Sequence, residues 1–141
     1  MSLLEKQNEI VEEFSVFTDW MDKYNYLIEL SKDINQIDKE KKTQQHLIEG
    51  CQSKVWLNAE LENGRIRFSA DSDAIITKGI AALLVRVLDN EKPEDIINAD
   101  LFFLDEIGLQ QNLSPTRSNG LLAMLKQMKL YAIAFNAKLK M

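Results

Sequence analysis

The sequence predicts an α+β fold: a small antiparallel β-sheet, a hairpin over about 54–71, packed with helices on both sides in sequence. Three observations lead there. Residues 54–71 alternate apolar and polar side chains around a central Asn63-Gly64. The stretches before and after them repeat apolar residues at steps of three and four, the helical spacing. Capping residues and prolines punctuate those stretches where helices should begin. With 141 residues, one domain spanning 1–141 is expected.

The first helix carries Ile10, Val11 and Phe14 on one face. Asp19 is positioned to cap a second helix, whose apolar stripe is Trp20, Tyr24, Leu27 and Ile28. Residues Asp38 to Gln45 show no periodicity and read as a mobile polar connection toward Cys51.

In the hairpin, Val55, Leu57, Ala59 and Leu61 alternate with polar residues, as do Ile66, Phe68 and Ala70. Asn-Gly favours the two-residue type I′ turn, where both central residues need positive φ. That turn sets the register: Leu61 opposite Ile66, Ala59 opposite Phe68, Leu57 opposite Ala70. On the other face Glu60 meets Arg67 as an opposite-charge pair. Trp56 also falls on that polar face, so it needs cover, from the protein's own helices in preference to a partner.

Asp71-Ser72-Asp73 offers N-caps for a third helix striped by Ile76, Ile80, Leu83, Leu84, Val87 and Leu88 and widened by Ile75, Ala82 and Val85. So broad an apolar surface predicts a central helix. Pro93 opens a short helix, and Asp100 caps another that ends near Gly108. The last helix begins at Ser114-Pro115, with a stripe of Leu121, Leu125, Met128, Ala132, Phe135 and Leu139.

Composition narrows the function. Hydrophobic residues at 45% supply a core, and charged residues at 28% a solvated surface. No apolar run is long enough to span a bilayer. Met1-Ser2-Leu3-Leu4-Glu5 lacks the basic-then-apolar pattern of a secretory signal. The one cysteine excludes an intrachain disulfide and fits a reducing compartment, so a cytoplasmic location and no membrane contact are expected. The net charge of −5 is uneven. Gln111 to Met141 hold five bases and no acid, leaving 12 bases against 22 acids elsewhere. This reads first as a solvated basic helix and second as a docking face for an acidic partner. The acidic remainder, without a recognition motif, argues against nucleic acid.

Cys51 follows Gly50 and precedes the first strand, which places it on a loop. Composition alone would favour a buried structural cysteine; the loop position favours a reactive thiol. Cys51 and His46 are too few for a structural zinc site or an iron–sulfur cluster held by one chain, so no metal is expected. No glycine-rich phosphate loop or lysine motif for pyridoxal phosphate is visible, so no cofactor is expected. His46 lies five residues before Cys51. A Cys–His dyad is conceivable, but a solvent-facing histidine is favoured because the spacing matches no hydrolase signature. Arg117 sits in the first turn of a helix, where a cation opposes the macrodipole. That placement suggests a salt bridge to Asp73 or an anion contact.

Glu49-Gly50-Cys51-Gln52-Ser53-Lys54-Val55-Trp56-Leu57 closely resembles the signature of the SufE family around its acceptor cysteine. Asp71 to Gly79 and Leu113 to Leu121 resemble the family's segments opening the long helix and the last helix, and Tyr24 to Leu30 adds a weaker match. The resemblance covers nearly the whole chain. Lys54 stands where glutamine is more usual. The resemblance implies a fold like that of iron–sulfur scaffold proteins. It implies a persulfide acceptor at Cys51, with Asp73 and Arg117 as supporting contacts near the cysteine loop. Its partners would be a pyridoxal phosphate cysteine desulfurase of the SufS type and the Fe–S scaffold complex, with the chain itself a monomer or homodimer. The chain would be an accessory sulfur-transfer protein and activator of the desulfurase. The alternatives are an Fe–S cluster scaffold, which a single cysteine disfavours, and a cysteine hydrolase using Cys51 and His46.

Overall fold

The computed structural model describes residues 2–49 and 53–141. Helix α1 (Leu3–Ser15) opens on a capping box in which Ser2 Oγ accepts from Glu5 N and Glu5 Oε1 accepts from Ser2 N. Asp19 caps α2 (Trp20–Ser31), accepting from Met21 N at 3.0 Å, as the sequence predicts. Two short 3₁₀ turns, Lys39–Lys41 and Gln44–His46, lead to strands β1 (Val55–Glu62) and β2 (Arg65–Ser72). Then come α3 (Ile75–Leu88), α4 (Pro93–Ile97), α5 (Phe103–Glu106), α6 (Leu109–Asn112) and α7 (Pro115–Leu139).

The two strands pair antiparallel in the predicted register, Leu61 with Ile66, Ala59 with Phe68 and Leu57 with Ala70. Asn63 and Gly64 take φ of 54° and 79°, the positive values that the turn requires. Alternation therefore puts Val55, Leu57, Ile66, Phe68 and Ala70 into the core. Both hairpin edges are partly covered. Ala70 pairs with Gln36 in a parallel bridge, Ile66 with Glu91, and on the other edge Trp56 with Leu47. These contacts satisfy backbone groups that an open edge would present to other chains.

Helix α3 is central, as its broad apolar surface predicts. It packs on β2, α1, α2 and α7, and Leu83, Leu84, Val87 and Leu88 are almost wholly buried. Lys6 of α1 caps its C-terminal end. Its ammonium donates to Val87 O at 3.3 Å and Asp89 O at 2.8 Å and pairs with buried Glu91 at 2.6 Å. A cation there complements the helix dipole. Arg86 binds Glu9 and Glu13 of α1, and this network holds the Glu13 carboxyl below its ordinary value, chiefly through the Arg86 hydrogen bond.

Several local readings give way to longer-range contacts. Glu60 and Arg67 are opposite each other, but Glu60 pairs with Lys41 and Arg67 with Asp89. Asp71 and Asp73 do not cap α3. Its N-cap is Ala74, without a side-chain hydrogen bond, because both carboxylates are engaged elsewhere. Asp100 caps nothing: α5 starts after Phe102, and the Asp100 carbonyl accepts from Gln7. Gly108, at φ 71°, ends α5 as predicted, but α6 follows it immediately, a helix too short for any periodicity to announce.

Gly79 fixes how closely α2 and α3 approach. A Cβ there would lie 2.4 Å from the Leu27 carbonyl oxygen, and backbone cannot rotate aside. Gly79→Ala should lower stability by about 1–3 kcal/mol, the usual cost of overpacking, although alanine gains about 1 kcal/mol in helix propensity over glycine. Urea denaturation would test this; a stabilised variant would mean that the helices separate freely.

Candidate functional site

Cys51 lies outside the described residues, with Gly50 and Gln52. The chain on either side of them is tightly held. Upstream, Ile48 N donates to Val55 O at 2.8 Å, and Leu47 bridges to Trp56. Ile48 is buried, which anchors that stem in the core. Downstream, Asp73 Oδ1 accepts from Lys54 N at 3.0 Å, while Asp73 N and Ser72 Oγ both donate to Lys54 O, at 3.2 and 2.9 Å. Asp73 therefore acts on the backbone three residues after Cys51.

Asp71, two residues earlier, reaches the other arm. Its buried carboxylate accepts from Lys42 at 2.8 Å, Gln36 at 2.7 Å and Ser72 N at 2.8 Å, and pairs with Lys78 of α3 at 3.3 Å. Burial by itself would push this carboxyl up. Hydrogen bonds from Lys42, the Ser72 N–H and Lys78 outweigh it and hold it below the ordinary aspartate range. The Lys42 ammonium also lies 4.6 Å from the centre of the Trp56 ring. Trp56 is half-buried, with Lys42 of the polar connection over its ring. Residues 38–45, read from sequence as a mobile arm, are pinned through Lys41 to Glu60 and through Lys42 to Asp71 and Trp56.

Arg117 is exposed at the start of α7, its guanidinium 5.9 Å from the Tyr24 ring. Tyr24 is itself fixed by its hydroxyl, which donates to Asn112 O at 3.1 Å. Among the described residues no ion pair joins Arg117 to Asp73. His46 is partly exposed in the second 3₁₀ turn, its Nδ1 3.4 Å from Thr43 Oγ1. It lines an open cleft of about 460 Å³ between the upstream stem and α7, together with Glu49, Lys126, Leu130 and Tyr131. Behind the stems is an apolar cavity of about 10 Å³, lined by Ile48, Val55, Leu57, Leu84, Met124 and Met128 among others. It has room for about one water-sized group. Among the described residues no three His, Cys, Asp or Glu side chains converge as metal ligands, and no helix is long and apolar enough to cross a membrane.

Sequence reasoning missed the roles of Asp71 and Lys42. Nothing distinguishes Lys42 among its charged neighbours, and Asp71 resembles a cap. The one available signal was Asp71's register opposite Trp56, which puts a carboxylate beside an indole that needs cover.

Asp71→Asn should cost about 1–3 kcal/mol at neutral pH, the range for hydrogen bonds to a charged group. Because the folded-state value is lowered, the charge stabilises fully above the unfolded aspartate value, about 4. That stabilisation fades as pH falls through the lower folded value. The wild-type advantage in urea titrations should therefore shrink below about pH 4. An advantage that stays constant through acid pH would show that shape, not charge, is its source.

The SufE family model, described as an Fe–S metabolism associated domain, matches residues 8–132. SufE-like protein 1, chloroplastic/mitochondrial, of Arabidopsis thaliana is 40% identical over 134 residues, 94% of this chain but 36% of that protein. The chain thus spans about a third of that relative. SufE-like proteins of Rhizobium etli and Synechocystis are each 36% identical, over 86% and 89% of this chain and 86% and 79% of their own lengths. The solution structure of a hypothetical protein from Thermus thermophilus superposes with a TM-score of 0.75 at 22% identity, covering 92% of this chain and 94% of that one, which establishes likeness of fold. With the family model spanning nearly all its elements and three relatives agreeing, this chain belongs to the SufE family, whose domain is associated with Fe–S metabolism.

Proposed function

We propose that this chain is a sulfur carrier in iron–sulfur cluster assembly, acting in the cytoplasm. Cys51 receives sulfur from a pyridoxal phosphate cysteine desulfurase of the SufS type, stimulates that enzyme by unloading it, and passes the sulfur to a scaffold complex. The observation that carries this reading is the fastening of the chain on both sides of its one thiol, at Ile48–Val55 and at Lys54–Asp73, a rigid base of the kind that supports reactive loops.

The chemistry is thiol–disulfide exchange. The Cys51 thiolate attacks the outer sulfur of the desulfurase persulfide. A new S–S bond forms on Cys51, the old S–S bond breaks, and the desulfurase cysteine leaves as thiolate. An ordinary cysteine, with a pKa of about 8.5, is only a few per cent thiolate at neutral pH. A cation must therefore favour the anion during transfer, and Arg117 or a group on the desulfurase is suited to that. No role in proton transfer is given to His46. A cluster scaffold would need more thiolates than one chain offers.

Incubation with a desulfurase and cysteine should add mass to wild type in steps of one sulfur. Cys51→Ser should gain none and should not stimulate the desulfurase, since a hydroxyl is a poor nucleophile toward sulfur. Stimulation retained in full by the serine variant would overturn the carrier reading.

A resting thiol that sheltered toward the apolar residues behind the stems would have its charged form disfavoured and would be protected. The desulfurase then binds the extruded form more tightly. Asp73 is the latch in this scheme, because its carboxylate holds Lys54 N. Asp73→Arg should speed alkylation of Cys51 in the free protein several-fold and raise desulfurase activation. Equal alkylation rates for wild type and variant, with and without a desulfurase lacking its own cysteine, and each with an unperturbed thiol pKa, would eliminate the sheltering step.

A further inference from the structure

Helix α7 and its C-cap residue Lys140 carry five cations, of which only Arg117 is suited to favouring the thiolate. Elsewhere among the described residues seven of the twelve cations, Lys6, Lys42, Lys78 and Arg86 among them, sit in ion pairs. Among the described residues none of Arg117, Lys126, Lys129, Lys138 and Lys140 does. Such a set at one end of the chain, in a protein otherwise strongly acidic, is a local excess of positive charge, and Lys126 and Lys129 share one face of the helix.

The same helix exposes apolar surface. Leu122, Leu130 and Ile133 are 48%, 47% and 53% exposed. With Lys126 and Lys129 they follow one another at steps of four, three, one and three residues. In an α-helix that spacing forms one stripe, directed away from the face that buries Leu121, Met128 and Ala132. Lysine stems add apolar cover between the aliphatic side chains while their charges stay in solvent. The stripe also reaches the stem that leads to the cysteine segment. Lys126 and Leu130 form one wall of the open cleft, and Glu49, the last described residue before Gly50-Cys51-Gln52, lies on the other.

We propose that the outer stripe of α7, Leu122-Lys126-Lys129-Leu130-Ile133, is a docking face for an acidic surface on the desulfurase that loads Cys51. This rests on the carrier reading above. The unpaired lysines call for carboxylates, the exposed leucines and isoleucine call for apolar anchors, and the cleft joins this face to Glu49, in the stem before the cysteine. An anionic membrane offers the same two chemistries, but the acidic body of the chain would be repelled from it. A contact of this kind sets encounter rate and salt sensitivity as well as affinity.

The test measures binding of the full-length chain to a SufS-type desulfurase whose active-site cysteine is replaced by serine, across a salt series. Sulfur loading of Cys51 by the intact enzyme is followed in parallel. Lys126→Glu/Lys129→Glu should weaken binding about tenfold or more and flatten its salt dependence. Leu130→Ser should weaken it several-fold with the salt dependence kept. Lys138→Glu, off the stripe, should stay within about twofold. Unchanged melting temperatures would confirm that the variants fold. If wild type gains sulfur and the stripe variants bind as it does, or lose no more than Lys138→Glu, the docking face is overturned and the carrier reading stands. If wild type neither binds nor gains sulfur, both fall. Stripe-dependent binding to phosphatidylserine vesicles, or stripe-dependent self-association, with desulfurase binding untouched, would also overturn it.

Discussion

Three consecutive residues, the last two of β2 and the one after them, fasten the chain on both sides of the cysteine segment. Asp71 turns inward and gathers Lys42, Gln36 and Lys78, while Ser72 and Asp73 grip the backbone of Lys54. Because β2 is locked in register by the Asn63-Gly64 turn and backed by α3, these three residues occupy fixed positions. The polar connection, the stems and the start of α3 are therefore referenced to one short piece of strand. Paired carboxylates two residues apart look redundant in the sequence. In the fold they serve opposite arms, one the polar connection before the cysteine and the other the backbone after it.

Nearby charge compensation is what makes a buried Asp71 tolerable. A lone carboxylate at that depth would be costly or would take up a proton. Two lysines and a backbone N–H reverse the balance, and the lysines come from segments that have no other reason to meet. Such a cluster ties the end of the first 3₁₀ turn to β2 and α3 at once.

The sequence made much of this fold legible because its signals are local and periodic. The hairpin register followed from one dipeptide, α3's centrality from its apolar breadth, the Asp19 cap from position, and the start of α7 from Ser114-Pro115. What it hid was long-range pairing. Asp71, Asp73 and Asp100 all occupy the kind of place where caps occur, yet tertiary partners claimed the first two, and α5 began beyond the third. Lys42 belongs to a stretch whose lack of periodicity suggested mobility; it is held by partners 14 and 29 residues away, Trp56 and Asp71. Glu60 and Arg67 met in register as expected, but each found a better-placed partner outside the hairpin. Of the candidate site, Asp73 could be placed beside the downstream stem and Arg117 against Tyr24, while Cys51 lies outside the described residues.

The bridge between Leu47 and Trp56 has a consequence in polymer terms. It closes a short ring of chain around the cysteine, and the ring's ends are held by the sheet, by the Ile48–Val55 hydrogen bond and by the core. Closure entropy grows only logarithmically with length, about 0.6 kcal/mol for each doubling. Adding residues inside this ring would hardly disturb the stability of the scaffold. The penalty would appear as a larger volume searched by the thiol, and so as a lower effective concentration at the partner's sulfur. Selection on the length of that ring would then act through rate, with folding left almost indifferent to it.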